Sequence, residues 1–364
     1  MIKMKTQLLL ILFVVLSIGV ADAQEIERKL LFWENRTIDI GTVLEENGLV
    51  EVEFLGLNQT DSSIVISDIL TDCGCTTAAY SKDTIYQSKI GSVKVNFNPD
   101  HRGGAFTKMI VVRTNQDIYG DTLYLQGFNI PFPNDLEEAY PVRNQEIGMR
   151  LSAINMGNVY THEPRRKLLE LYNFGNDSLT ISSISDSFPE YLKINMVPNS
   201  IPPNRRGLLV LDYDGQVKND LGLVEEQLVL NFEGKENPVE FKLLANIFEY
   251  FDPVLKSMES VVPRLGINEI DIDLKNISSD QIINRELKLT NQGQEVLEIR
   301  KVIANCECMS VNLEGKSLLG GESMQLSYTF DPKGRRGIDH KHITLFTNDP
   351  IQPVRTIVIR SMIK

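Results

Sequence analysis

Thr71-Asp72-Cys73-Gly74-Cys75-Thr76 is answered 233 positions later by Asn305-Cys306-Glu307-Cys308, and these two Cys-x-Cys pairs hold all four cysteines of the chain. The same shift carries other residues onto like partners. Asn58-Gln59 falls on Asn291-Gln292, Phe97 on Phe330, Pro99 on Pro332, Arg102 on Arg335, Gly104 on Gly337 and Thr114-Asn115 on Thr347-Asn348. No gap is needed between Asn58 and Asn115, so the chain carries one module twice.

Around the first motif the hydrophobic period is two. Val50, Val52 and Phe54 alternate with Glu51 and Glu53, and Val93, Val95 and Phe97 with Lys94 and Asn96, as expected of half-buried strands. Asn58-Gln59-Thr60-Asp61, Asn98-Pro99-Asp100 and Arg102-Gly103-Gly104 punctuate the runs as turns. No stretch of comparable length shows helical spacing. The expected fold is all-β, with short strands and regular turns making a two-sheet sandwich.

A weaker third copy lies between the other two, at an offset near 115. Ile154-Asn155-Met156-Gly157 meets Ile38-Asp39-Ile40-Gly41, Asn173 meets Asn58, and Phe188 and Glu190 stand where the cysteines stood. The expected organisation is three tandem sandwiches over residues 38–130, 147–247 and 265–364. Residues 24–37 form a lead-in with the only tryptophan, Trp33, read as a packing residue. Linkers are expected at Pro131–Glu138 and Phe248–Arg264; their prolines favour a semi-extended string of modules.

Residues 1–23 read as a signal peptide. Lys3 and Lys5 precede an apolar run from Leu8 to Val20, and Ala21-Asp22-Ala23 offers a small-x-small cleavage site. That run is short of the roughly 20 residues a membrane span takes, and no later stretch approaches that length. No cysteine follows it to carry a lipid. The expected address is periplasmic or secreted, including the cell surface, with no membrane span after cleavage. A formal charge of −12 without a basic stripe argues against nucleic acid as a partner. Four cysteines are too few for a disulfide-built scaffold, so apolar burial must hold the domains.

Three readings of each cysteine pair stay open. The thiols are buried as small apolar groups, or they bridge within the motif or between copies, or Cys73, Cys75, Cys306 and Cys308 bind metal. In an extended strand their Cα atoms would lie about 6.6–6.8 Å apart, at the edge of disulfide geometry. A bridge within the motif therefore needs a turn, which Gly74 favours and Glu307 resists. Two sulfurs do not close a zinc site, and His101, His340 and His342 occupy no matched positions in the two copies. Cu(I) suits two thiolates better than zinc. The spacing is not the Cys-x-x-Cys of thioredoxin-like enzymes, and no βαβ context accompanies it.

Nucleophile elbows, zinc helices, Walker loops and dinucleotide fingerprints are all missing from the sequence. Gly320-Gly321 reads as a strand-entry turn, and the abundant carboxylates as solvated surface. Arg102 and Arg335 follow matching turns; each is read as a packed turn arginine, with contact to an acidic or glycan partner as the sharper alternative. Asp83-Thr84-Ile85, Asp121-Thr122-Leu123 and Asp177-Ser178-Leu179 resemble the O-glycosylation tripeptide of exported Bacteroidota proteins.

Ile38–Val43, the turn at Asn58, Thr71–Thr76, Val93–Pro99 and Arg113-Thr114-Asn115 together resemble the bacterial family called domain of unknown function 1573. That family is similar to the immunoglobulin-like modules of Hydin and major sperm protein. The resemblance covers 38–128 and 270–364, with Glu307 in place of the motif glycine and no counterpart of Gly41 in the last copy. It implies an immunoglobulin-like fold and an envelope or secreted address, and supplies no activity. The functional expectation is a non-enzymatic envelope protein, a spacer or a scaffold for an envelope or extracellular protein or glycan, with homotypic association through edge strands as a further expectation. No cofactor is expected on this reading. The alternative is a thiol-dependent metal-binding (copper or zinc) or redox protein.

Overall fold

The computed structural model describes residues 30–182 and 188–364. The segment read as a signal peptide lies outside the described residues, and among those described no helix is long and apolar enough to cross a membrane. The protein is all-β. Among the described residues, helical structure is confined to single turns such as Leu136–Ala139 and Gly215–Lys218.

In the first unit, β1 (Leu31–Trp33), β3 (Val50–Asn58), β6 (Ile90–Phe97) and β5 (Thr76–Tyr80) form one sheet in the order β1-β3-β6-β5. β2 (Thr37–Leu44), β8 (Asp121–Ile130), β7 (Gly104–Thr114) and β4 (Ile66–Thr71) form the facing sheet in the order β2-β8-β7-β4. The alternating apolar residues of both sheets meet between them: Phe54, Val93, Val95, Phe97, Ile110, Val112, Leu123 and Leu125 are all essentially inaccessible. The lead-in belongs to this sandwich. Leu31–Trp33 pairs antiparallel with Gly56–Asn58, and Leu31 and Trp33 are buried. A Cβ on Gly56 would meet the Trp33 ring at 3.0 Å, so glycine there makes room for the indole. The first sandwich thus begins at Leu31, ahead of the boundary read at Ile38.

Two further buried clusters occupy 147–247 and 265–363, with sheets of the same plan. Leu265–Ile267, Ile283–Asn291, Ser323–Phe330 and Met309–Leu313 repeat the β1-β3-β6-β5 order. In every copy the first strand of the second sheet runs parallel to the last, with a register shift at a bulge. Sequence explains that bulge. The Asp39 carboxylate accepts the Gly41 N–H at 2.7 Å, Asn155 accepts from Gly157 and Asp273 from Lys275. This local turn leaves the third residue at positive φ. The Gly41 N–H, and then the Gln126 amide, hold the Asp39 carboxyl below its usual range. The last copy therefore does have a counterpart of Gly41. It is Lys275, at φ 56, one place beyond the uniform 233 shift.

Asn58, Asn173 and Asn291 are fully buried and do one job three times. Asn58 Nδ2 donates to Ser62 O and Ile85 O, Asn173 to Asp177 O and Ile201 O, and Asn291 to Glu295 O and Leu318 O. Each Oδ1 accepts a backbone N–H two residues on. One amide thus satisfies carbonyls that leave the strand at the turn and would otherwise be buried alone. Thr114-Asn115 and Thr347-Asn348 match for a similar reason: Asn115 Oδ1 accepts Val65 N–H, and Asn348 Oδ1 accepts Glu298 N–H.

Residues 135–364 make one compact unit. Within it the expected semi-extended spacing is replaced by a packed junction between the second and third sandwiches. Gly222, at φ +81, sits where an added Cβ would lie 2.9 Å from Ile303 and 3.0 Å from Phe346. Lys301 Nζ reaches Asp220 Oδ1 at 2.6 Å and Leu221 O at 2.8 Å, and Arg300 pairs with Glu249 at 3.1 Å. The presumed linker is also docked, since Val261 O accepts the N–H groups of Gln294 and Glu295 and Pro263 is buried. Proline content reported stiffness, but glycine at 222 and the apolar pair at 303 and 346 decide the packing.

Candidate functional site

Both Cys-x-Cys motifs sit where the chain leaves one sheet of a sandwich for the other. β4 of the second sheet ends at Thr71 and β5 of the first begins at Thr76; in the last copy the crossing runs from Ala304 to Met309. The crossing is a tight turn, with Thr76 N–H donating to Cys73 O at 3.2 Å and Met309 N–H to Cys306 O at 3.1 Å. The turn draws the Cα atoms to 5.3 Å in one motif and 5.1 Å in the other, and each pair is closed as a disulfide, Cys73–Cys75 and Cys306–Cys308. Glu307 does not resist the turn as expected. Gly74 is not at positive φ and a Cβ on it would meet nothing, so the position accepts any residue.

In the middle copy Leu192 N–H donates to Pro189 O and Asp214 N–H to Tyr191 O, the bonds that Cys73 O and Cys75 O accept from Thr76 and Asn98. The residues standing in for the cysteines are therefore Pro189 and Tyr191, one place beyond Phe188 and Glu190. Extra chain between Asn173 and Leu192 shifts the register.

The two bridges have different surroundings. Cys75 is 5% exposed and packs into the first core. Both sulfurs of that pair lie 3.7 Å from the neutral Thr76 hydroxyl. Asp72 locks the corner to β7, its N–H donating to Met109 O and its carboxylate accepting Met109 N–H. Arg102 donates to Asp100 O in its own turn and makes no bond to the cysteines. In the third copy, Cys306 and Cys308 are both half-buried. Arg335 donates from Nη2 to Cys306 Sγ at 3.2 Å, and the Cys308 N–H points at the same sulfur at 2.9 Å. The matched arginines read as turn residues thus diverge: one caps a turn and the other faces a sulfur.

Asp339 stands beside the arginine that faces the sulfur. Its carboxylate lies 3.8 Å from Arg335 Nη1 and binds Lys341 Nζ at 2.5 Å. The matching position in the first copy is Phe106, stacked on Phe97 at 4.2 Å. Pairing Asp339 with Arg335 was not read from the sequence; the switch from Phe106 to Asp339 at the 233 shift was the available signal. While the bridges are closed, neither pair offers thiolates to copper or zinc. Of the histidines, His101 lies beside Glu45 and Asp100, and His342 binds the third corner through its backbone to Asn305.

A crystal structure of a protein of unknown function from Porphyromonas gingivalis W83 is similar to 60% of this chain over 99% of its own length, at 14% identity and a TM-score of 0.42. A PapD-like domain of human CEP192 is similar to 31% of the chain over 92% of its own, at 13% identity and a TM-score of 0.24. The EC1-4 region of Drosophila N-cadherin matches 87% of the chain over 83% of its own, at 7% identity and a TM-score of 0.21. No curated protein matches the chain. The family model described as "Protein of unknown function (DUF1573)" matches residues 31–129 and 265–362, the two copies that carry the bridged corners. With more than half of its length matched, the chain belongs to that family.

Proposed function

We propose that the protein is a non-enzymatic exported envelope protein whose sandwiches serve as a spacer and as a scaffold for a protein or glycan partner. The junction at Gly222 carries this reading. A positive-φ glycine, two apolar side chains and the Lys301–Asp220 and Arg300–Glu249 pairs pack one sandwich against the next, and a spacer requires such a junction. Exposed ion pairs contribute only about 0–1 kcal/mol each, so their part is orientation and the apolar contact does the holding. A second support is that the residues shared between copies are spent on backbone geometry: the turn asparagines, the bulge and the bridged corners. Photocrosslinking of the full-length chain on intact envelopes is expected to give a discrete adduct that Lys301→Glu weakens, with no turnover of envelope peptides or polysaccharides. Steady turnover of either, abolished by a point substitution, would overturn the proposal.

A further inference from the structure

We propose that the Cys306–Cys308 bridge is a reversible thiol–disulfide exchange centre in which Arg335 activates Cys306, while the matching Cys73–Cys75 bridge is structural. The scaffold reading neither requires this nor supplies it.

The argument starts from the charges around one sulfur. Arg335 lies 3.2 Å from Cys306 Sγ, and the Cys308 N–H donates to the same atom. In the reduced state both become donors to a thiolate, and a guanidinium beside a thiolate favours its ionised form. Asp339 lies 3.8 Å from the guanidinium without a hydrogen bond to it, and its other oxygen takes Lys341. Arg335 and Lys341 stand against Asp339 and the Glu307 carboxylate, so the direct Arg335–Cys306 contact, rather than any excess of charge, is what favours the thiolate. Glu307, on the motif itself, is exposed, and His342 meets the corner through its backbone. The first copy keeps a lysine at the matching place, Lys108, but its arginine turns away, Phe106 replaces the carboxylate, and Cys75 is buried in the core.

Access sets the order of events. Cys308 packs against the third core, whereas Cys306 lines an open groove of roughly 570 Å³ with Asn305 and Glu307. A thiolate of a dithiol partner attacks the Cys306 sulfur. The Cys306–Cys308 bond breaks, and its electron pair leaves on Cys308, which takes up a proton. The partner's second thiolate then attacks its own sulfur in the mixed disulfide, and the electron pair leaves on Cys306 as a thiolate beside Arg335. The partner dithiol loses two electrons to become a disulfide, and the bridge gains them. A stabilised leaving thiolate speeds the last step and favours the reduced bridge.

The test equilibrates the full-length chain in glutathione buffers, traps free thiols and maps each pair by mass. The third bridge is expected to reach half-reduction at a glutathione ratio at least tenfold more oxidising than the first. In Cys308→Ser, Cys306 is expected to react with iodoacetamide at pH 7 at least tenfold faster in the folded than in the unfolded chain. Arg335→Gln, which keeps a donor and removes the charge, is expected to erase most of that gain, and Arg335→Lys to restore part of it. Equal reduction of the two bridges in the unmodified chain would overturn the proposal without recourse to any variant. So would a folded Arg335→Gln protein in which Cys306 reacts as fast as before.

Discussion

Glu170→Ala is expected to cost the second sandwich about 2–3 kcal/mol, the penalty for unmaking hydrogen bonds to buried and charged groups. Glu170 is a focus of partners on the strand Arg165–Asn173. Its Oε2 accepts Arg206 Nη1 at 3.0 Å and the Tyr140 hydroxyl at 3.0 Å, and Arg150 adds a two-pronged pair at 2.9 and 3.1 Å. The Arg206 side chain is fully buried, so the substitution takes a carboxylate from a guanidinium that water does not reach. Burial and the adjacent Glu170 charge push the Tyr140 hydroxyl pKa up, which keeps the phenol a donor. The tyrosine thereby ties the segment before the second sandwich to its sheet. Hydrogen exchange at the amides of Leu168–Tyr172 reads the loss directly, and a change below about 1 kcal/mol would show that the pair is not a keystone. Glu170→Gln keeps the phenol's acceptor while losing the charge, and its cost is expected to fall between alanine and the native residue.

Asn58→Ala is expected to lower the stability of the first sandwich by about 3 kcal/mol. Four bonds disappear together: two from Nδ2 to Ser62 O and Ile85 O at 2.8 Å, and two into Oδ1 from the Thr60 N–H and hydroxyl. Each buried group left without a partner costs about 1–3 kcal/mol, part of which relaxation recovers. The chain reports on itself here. Trp33, the sole tryptophan, lies in the strand that pairs with Gly56–Asn58 and donates to Asp121 at 3.0 Å. Its fluorescence follows the unfolding of that sandwich alone, and an unchanged urea midpoint would refute the role given to Asn58.

Much of the fold was legible because the copies constrain one another. The period-two runs and the 233 shift located the strands. They also lined up Asn58, Asn173 and Asn291, although the sequence marked these only as turn residues. A fully buried asparagine serving four groups is a tertiary fact, visible once the strand ends are in place. The position of Lys275 was missed because a positive φ at lysine leaves no mark in composition. Phe188 and Glu190 were off by one because backbone bonds, rather than residue types, define that corner. The junction and the Glu170–Arg206 pair were illegible for a different reason. Each occurs in a single copy, so neither repetition nor periodicity separates its carboxylates from the 49 acidic residues of the chain. At the bridged corners the sequence held the four cysteines and both arginines but not their difference, which goes with one exchange, Phe106 for Asp339.

The central claim is that the second and third sandwiches form one rigid unit. The direct measurement is a distance distribution between spin labels at Lys193 and Ile338, both exposed and on different sandwiches of that unit. It is made on the full-length chain by double electron–electron resonance. The account predicts a single narrow distance that Gly222→Val, whose side chain has no room against Ile303 and Phe346, broadens or displaces. A broad distribution in the native chain, unchanged by Gly222→Val, would contradict it.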